Sequence, residues 1–416
     1  MTETDVDQLN ISLPRLRARL DALAEIGAID GGGSARLALT DDDRRGRDLV
    51  VSWMGDLGLR VEIDEIGNVV GTWPPESTEP AVMTGSHIDT VATGGRFDGT
   101  LGVLAGIEVL ETVITSGVEL AHPLAVAFFT DEEGARFAPD MLGSLVYAGG
   151  MPLEDALALR SIDGAVIGEE LLRIGYAGPQ PCPARPPHAY VELHIEQGPV
   201  LEAEAVTIGA VTGVQGISWT ELTITGQSNH AGTTPMSMRH DAGYAAGEVT
   251  SFVRSLAEEM GSPQVATVGR IELHPNLVNV VAARASLTVD LRNTDEELVA
   301  ESERRLYEFC DELAVREGVT ISRRSLARFA PVEFDETVIA LVEEIAVARG
   351  LSTKRMPSGA GHDAQMLARV CPSGMVFVPS VRGISHNPAE FTADADLEAG
   401  ANVLLHVLLR LATNER

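Results

Sequence analysis

Apolar positions recur at helical spacing over residues 9–28, stop at Gly31-Gly32-Gly33-Ser34, and resume in a second helical stretch over 41–57. The pattern then shortens: strands are predicted at 60–63, 68–73 and 81–86, a helix at 99–116, and a strand at 124–130. Such alternation predicts an α/β sheet, on which ligands gather at the C-terminal ends of strands.

The pattern changes around 209–216. After it the chain reads strand (218–226), helix (241–260), two strands (264–273 and 279–292), helix (294–317) and strand (319–325). This β-α-β-β-α-β order matches a ferredoxin-like unit. From Phe329 the α/β pattern returns, with a helix at 335–349, a strand at 375–379 and a closing helix at 396–412. The expected organisation is a discontinuous catalytic domain, 1–212 and 329–416, with a smaller domain inserted at 213–328.

Composition narrows the class. A chain of 416 residues exceeds one ordinary core, and 44% hydrophobic with 22% charged residues is ordinary for a globular enzyme. No apolar run approaches the roughly 18 residues a membrane span needs. The start, Met1-Thr2-Glu3-Thr4-Asp5, has no basic region or apolar stretch of a secretory signal, so a cytoplasmic protein is expected. Cys182, Cys310 and Cys371 have no CxxC spacing and are read as buried thiols, neither a disulfide framework nor a thiolate metal site. A net charge of -30 argues against nucleic acid and anionic membrane as partners. Lys354 is the only lysine; acidic excess with lysine loss fits a high-salt host and a biased genome composition equally.

The candidate chemistry lies where apolar runs end. The run 81–86 ends in His87-Ile88-Asp89, and a glycine-rich loop leads to Asp98-Gly99. Asp89 is placed to accept the second ring N–H of His87. Alone, a His-x-Asp triplet matches by chance in many chains. The run 124–130 ends in Asp131-Glu132-Glu133, where one acid can coordinate a metal and the other take a proton from water. His194 lies between apolar neighbours in Val191 to Gly198, and His386 in Gly383-Ile384-Ser385-His386-Asn387-Pro388. Three histidines and two carboxylates suit zinc, manganese or cobalt. In the inserted unit, Gln227 to Pro235 is a polar turn around His230. Asn279 and Arg292 are expected on one strand, where the planar Arg292 fork could grip a substrate carboxylate.

Seven segments carry a family resemblance: GSHIDTVATGGRFDG (85–99), FTDEEGARF (129–137), HIEQGPVLE (194–202), SNHAGTTPM (228–236), NLVNVV (276–281), SGAGHDAQM (358–366) and GISHNPAE (383–390). Together they resemble the hydantoinase/carbamoylase amidase family, which includes N-carbamoyl-L-amino acid hydrolases, allantoate amidohydrolases and β-ureidopropionases within the di-zinc aminoacylase and carboxypeptidase clan. The resemblance spans nearly the whole chain in the same order. It implies a di-metal aminopeptidase/carboxypeptidase-like catalytic domain with a ferredoxin-like lid and dimerisation domain. It implies two divalent ions (Zn, Mn or Co) per subunit, held by His87, Asp98, Glu133, His194 and His386, with Asp98 bridging. Glu132 becomes the general base, Asp89 the orienter of His87, and His230 the polariser of the scissile carbonyl, in the wider clan supplied by the partner subunit. Asn279 and Arg292 resemble the carboxylate grip, and Gln197, Gly361 and His362 further pocket wall. A homodimer is implied.

The expected activity on a small-molecule substrate is cleavage of the carbamoyl C–N bond of an N-carbamoyl-L-amino acid to amino acid, ammonia and carbon dioxide. Allantoate amidohydrolase or β-ureidopropionase is the alternative, and a non-catalytic metal-binding scaffold a distant one. Allantoate enzymes carry a Gln-Arg pair after the glycine matching Gly216; this chain has Ile217-Ser218-Trp219 there, which favours carbamoyl amino acids.

Overall fold

A computed structural model describes residues 8–413. The chain divides into two compact units, 1–213 with 333–416, and 214–332.

The larger unit is built on a nine-stranded sheet. Its strands are β1 (Arg60–Ile63), β2 (Val69–Trp73), β3 (Val82–His87), β4 (Leu124–Phe129), β5 (Ala189–Ile195), β6 (Ile208–Val214), β11 (Val332–Glu333), β12 (Thr353–Ser358) and β13 (Ser373–Val378). They are ordered β1-β2-β4-β3-β5-β13-β6-β11, with β12 paired to β6. β4, β3, β5 and β13 run parallel, and every residue of these four is buried. Strands covered on both faces read as near-continuous apolar runs, as LAVAFF and GMVFV do. Helices Thr100–Ser116 and Asp394–Ala412 pack on this centre. The parallel strands all deliver their C-terminal ends to one edge, and the polar residues that follow His87, Phe129, Ile195 and Val378 emerge there.

The smaller unit comprises β7 (Gly216–Thr225), β8 (Val265–His274), β9 (Arg284–Asn293) and β10 (Thr320–Phe329) with helices Ala242–Met260 and Glu296–Glu317. Its antiparallel sheet has the order β10-β7-β9-β8, the ferredoxin-like arrangement expected from the sequence. β9 alternates between buried positions and less covered ones, starting from the exposed Arg284. Its inward residues Ala285, Leu287, Val289 and Leu291 pack with Val249, Val253 and Leu306 of the helices. Asp241 and Asp295 cap the two helices by accepting backbone N–H bonds in the first turn.

The pattern change around 209–216 falls across β6 and the start of β7. Some expectations need correction. The strand expected from 279 begins only at Arg284, because Pro275 has no N–H to donate and Asn276 takes a positive φ of 54°. The last strand of the smaller unit reaches Phe329 through a bulge between Ser325 and Ala327. Only Cys310 is buried; Cys182 and Cys371 are half-buried, and all three are free thiols. No helix among the described residues is long and apolar enough to cross a membrane.

Candidate functional site

Asp98 organises the larger unit's polar edge. It sits immediately before the helix Thr100–Ser116 and is buried. Its Oδ1 lies 3.3 Å from His194 Nε2 and 3.8 Å from His87 Nε2, while Oδ2 lies 3.4 Å from His386 Nε2. His386 Nε2 is also 3.1 Å from Glu133 Oε2. Two clusters, His87-Asp98-His194 and Asp98-Glu133-His386, each bring their donor atoms within 4.8 Å of one another, and Asp98 turns one oxygen to each. His386 is the exposed member, with half its side chain accessible.

The backbone orients the rings. His87 Nδ1 is 2.9 Å from the Asp89 carbonyl oxygen, and His194 Nδ1 is 2.9 Å from that of Ile195. Both rings therefore turn Nε2 inward. This corrects the expected role of Asp89, whose carboxylate stays 3.9 Å from His87 Nδ1. It instead accepts the Glu132 and Glu133 amides, each at 3.3 Å. The His87 ring needs only one acceptor, and the adjacent carbonyl reaches it first.

The Asp131-Glu132-Glu133 turn is also held from behind. The Met141 and Gly143 amides donate to the Glu132 and Thr130 carbonyls at 2.7 and 2.8 Å, and the Thr130 amide donates to Asn68 Oδ1 at 2.9 Å. Asp131 takes φ 57°. Glu132 is 7% exposed, with Oε2 3.3 Å from His87 Nε2.

Electrostatics separates the acids. Burial works against the Asp98 carboxylate, yet His194, His87 and His386 outweigh it and hold its pKa well below the usual range. Burial, reinforced by Asp363, Glu133 and Asp89, pushes the Glu132 carboxyl well above its usual range. Neighbouring acids driven in opposite directions are how one site assigns different proton roles.

These donors fit divalent cations. Three inward imidazole nitrogens, a carboxylate shared by two clusters and a second carboxylate form a mixed N/O set of the kind zinc, manganese and cobalt accept. A third group, Glu192-His194-His362, also lies within 4.8 Å. Its Glu192 is committed elsewhere, accepting from Ser86 Oγ at 2.6 Å and the Ala364 amide at 2.8 Å.

Gln197 Nε2 donates to Asp98 Oδ2 at 2.8 Å, so it orients that carboxylate. His362, expected on the pocket wall, lies against His194. It is buried, its ring centroid 4.5 Å from that of His194 and its Nε2 2.8 Å from Ser358 Oγ. It precedes the short helix Asp363–Leu367, all of whose residues are buried. Gly361 beside it is half-buried, and a β-carbon there would lie 2.9 Å from the Met141 side chain.

In the smaller unit, a bridge between His230 and Val280 sets Asn279 beside the histidine, with the Ala231 amide donating to the Asn279 carbonyl at 2.9 Å. Asn279 thus lies in a turn, not on β9. His230 Nδ1 accepts the Gly232 amide at 3.0 Å, which assigns the ring proton to Nε2. Arg292, on β9, donates from Nη2 to Asp290 Oδ2 at 2.9 Å and lies over the Trp219 ring.

Sequence reasoning missed Ser385, whose hydroxyl donates to Asp98 Oδ2 at 2.9 Å, and Glu390, which accepts the Asp98 amide. Their only signal was adjacency to His386 in one motif.

The profile of peptidase family M20/M25/M40 matches residues 83–410. An N-carbamoyl-L-amino-acid amidohydrolase from Rhizobium meliloti is 42% identical over 405 residues, covering 97% of each chain. The crystal structure of an amidase of the hydantoinase/carbamoylase family from Burkholderia multivorans superimposes with a TM-score of 0.94 at 45% identity, over 98% of this chain and 100% of that one. The chain belongs to the hydantoinase/carbamoylase amidases of peptidase family M20/M25/M40. The amidase fold, an α/β catalytic unit carrying a smaller α+β unit, is the one described above. The likeness extends to allantoate amidohydrolase of Escherichia coli, 35% identical over 94% of this chain and 96% of that one.

Proposed function

We propose that this amidase hydrolyses the carbamoyl C–N bond of N-carbamoyl-L-amino acids. The reaction reading is carried by one observation: Asp98 faces His194 with one oxygen and His386 with the other, beside the buried Glu132 carboxyl. The substrate class is supported by the full-length likeness to the Rhizobium meliloti enzyme.

His87, Asp98 and His194 would hold one divalent cation, and Asp98, Glu133 and His386 a second; zinc, manganese and cobalt suit the set. When bound, such ions supply Lewis acidity and bring the pKa of water down toward neutrality. Glu132 takes the proton of the attacking water on its carboxylate and delivers it to the leaving nitrogen. One water and one carbamoyl amino acid thus give the amino acid, ammonia and carbon dioxide. Asp89 keeps Glu132 and Glu133 in register through their amides. His230 of the partner subunit would donate its Nε2 proton to the oxygen that gains charge, a type of contact that elsewhere contributes about 3–4 kcal/mol. Asn279 and Arg292 grip the substrate carboxylate, and Gln197 keeps Asp98 turned. The chain works in the cytoplasm as a homodimer.

Allantoate is the second reading, favoured by the Escherichia coli relative. Ile217-Ser218-Trp219 on β7 weighs against it.

A panel of N-carbamoyl-L-amino acids, allantoate, N-carbamoyl-β-alanine and N-acetyl-L-amino acids, with manganese, cobalt or zinc added, decides. Ammonia release is expected from the carbamoyl amino acids. Turnover confined to allantoate or to N-acetyl substrates would sink the proposal.

A further inference from the structure

We infer that Glu390 is a positioning residue for Asp98, so that the segment bearing His386 also fixes the carboxylate shared by both clusters. The inference rests on the metal assignment proposed above and adds a residue to which no role had been given.

The Glu390 side chain is 3% exposed, yet it points inward, toward the loop that carries Asp98. Its Oε1 accepts the Phe97 amide at 2.9 Å and the Asp98 amide at 3.1 Å. These bonds join residues almost three hundred positions apart. The loop is shaped around this carboxylate: a β-carbon at Gly95 would fall 2.1 Å from Glu390 Oε1, so any larger residue there would displace it. Phe391 adds a second attachment, its ring meeting Phe97 edge-on at 6.3 Å.

Asp98 is thus fixed from two directions. Glu390 holds its main chain, while Gln197 and Ser385 donate to its Oδ2 at 2.8 and 2.9 Å. A carboxylate that must present one oxygen to each of two clusters tolerates little rotation, because a swing that suits one cluster withdraws the other oxygen. His386 lies four residues before Glu390, so one short segment supplies a donor to the second cluster and sets the position of the shared carboxylate. Interactions that orient ligands in this way are worth about 10- to 100-fold in metal affinity.

The test uses the full chain, stripped with a chelator and titrated calorimetrically with zinc or manganese ions, with circular dichroism reporting the fold. Glu390→Gln keeps an oxygen for both amides and is expected to bind within about 3-fold of wild type. Glu390→Ala, and Glu390→Asp, which keeps the charge but loses reach, are expected to bind about 10- to 100-fold more weakly while still folded. Wild-type affinity in Glu390→Ala overturns the inference, as does a Glu390→Gln variant as impaired as Glu390→Ala, which would make Glu390 a ligand or a charge rather than an acceptor. A wild-type chain that takes up neither ion overturns the metal assignment as well.

Discussion

A β-carbon on residue 99 would lie 2.3 Å from Nε2 of His87, so Gly99 is what leaves the inward edge of that ring open. The residue also takes φ +63°, a region where a side chain is strained. Gly99→Ala is therefore expected to cost more than local strain. Elemental analysis of the purified variant should find one divalent ion fewer per chain than in wild type, and turnover should fall with it. Full metal content in Gly99→Ala would contradict the inward role given to His87 Nε2.

Glu132 supplies a separable prediction, because it is assigned a proton and not a cation. Glu132→Gln keeps the size and removes the base, so metal content should stay at wild-type level while kcat falls about 10²- to 10⁴-fold. Assay after metal stripping and reconstitution checks it; a variant of near-normal kcat would remove Glu132 from the mechanism.

Behind the site lies a fully buried ion pair, Arg47 Nε to Asp43 Oδ2 at 2.8 Å, with neither side chain accessible. Arg47 also donates to the Gly67 carbonyl at 2.7 Å and to Thr130 Oγ1 at 3.2 Å, so it braces the residue just before the Asp131-Glu132-Glu133 turn. Arg47→Met leaves Asp43 charged and buried, and should cost about 3–5 kcal/mol in denaturant unfolding. Adding Asp43→Asn should return part of that loss. A single variant as stable as wild type would show that the pair contributes nothing.

Asp64, outside the candidate donor clusters, gives a pH dependence of its own. Burial raises its pKa from 3.8 to about 6, against the Asn68 side-chain and main-chain bonds that oppose the rise. The folded chain binds this proton more tightly than the unfolded chain. The resulting stabilisation is complete below pH 3.8 and is lost as pH rises through about 6. Melting curves across pH 4 to 7 should show a downward contribution that Asp64→Asn removes, worth up to about 3 kcal/mol. An unchanged slope in the variant would assign the dependence to other groups.

Much of the site was legible because of how a parallel sheet is covered. Buried on both faces, β3, β4 and β5 had to read as apolar runs, so His87, Asp131-Glu132-Glu133 and His194 stood out where polarity interrupted or ended a run. The ferredoxin-like unit was legible for the opposite reason, its β9 alternating because one face is covered by helices. The start of β9 was misjudged since the β-branched and apolar residues around Asn279 resemble strand, while Pro275 and the positive φ at Asn276 bend the chain into a turn.

The sequence by itself determined where the central parallel strands give way to polar residues and the set of side chains able to hold cations, because these follow from local patterning and residue chemistry. Only the tertiary structure decided which oxygen of Asp98 faces which imidazole, that Asp89 clamps the Glu132 and Glu133 amides rather than the His87 ring, that His362 is buried behind His194, and that Glu390 anchors Asp98. Each of these is a contact between segments far apart along the chain. Hydrogen bonds of that kind depend on distance and angle in space, which no spacing along a sequence encodes.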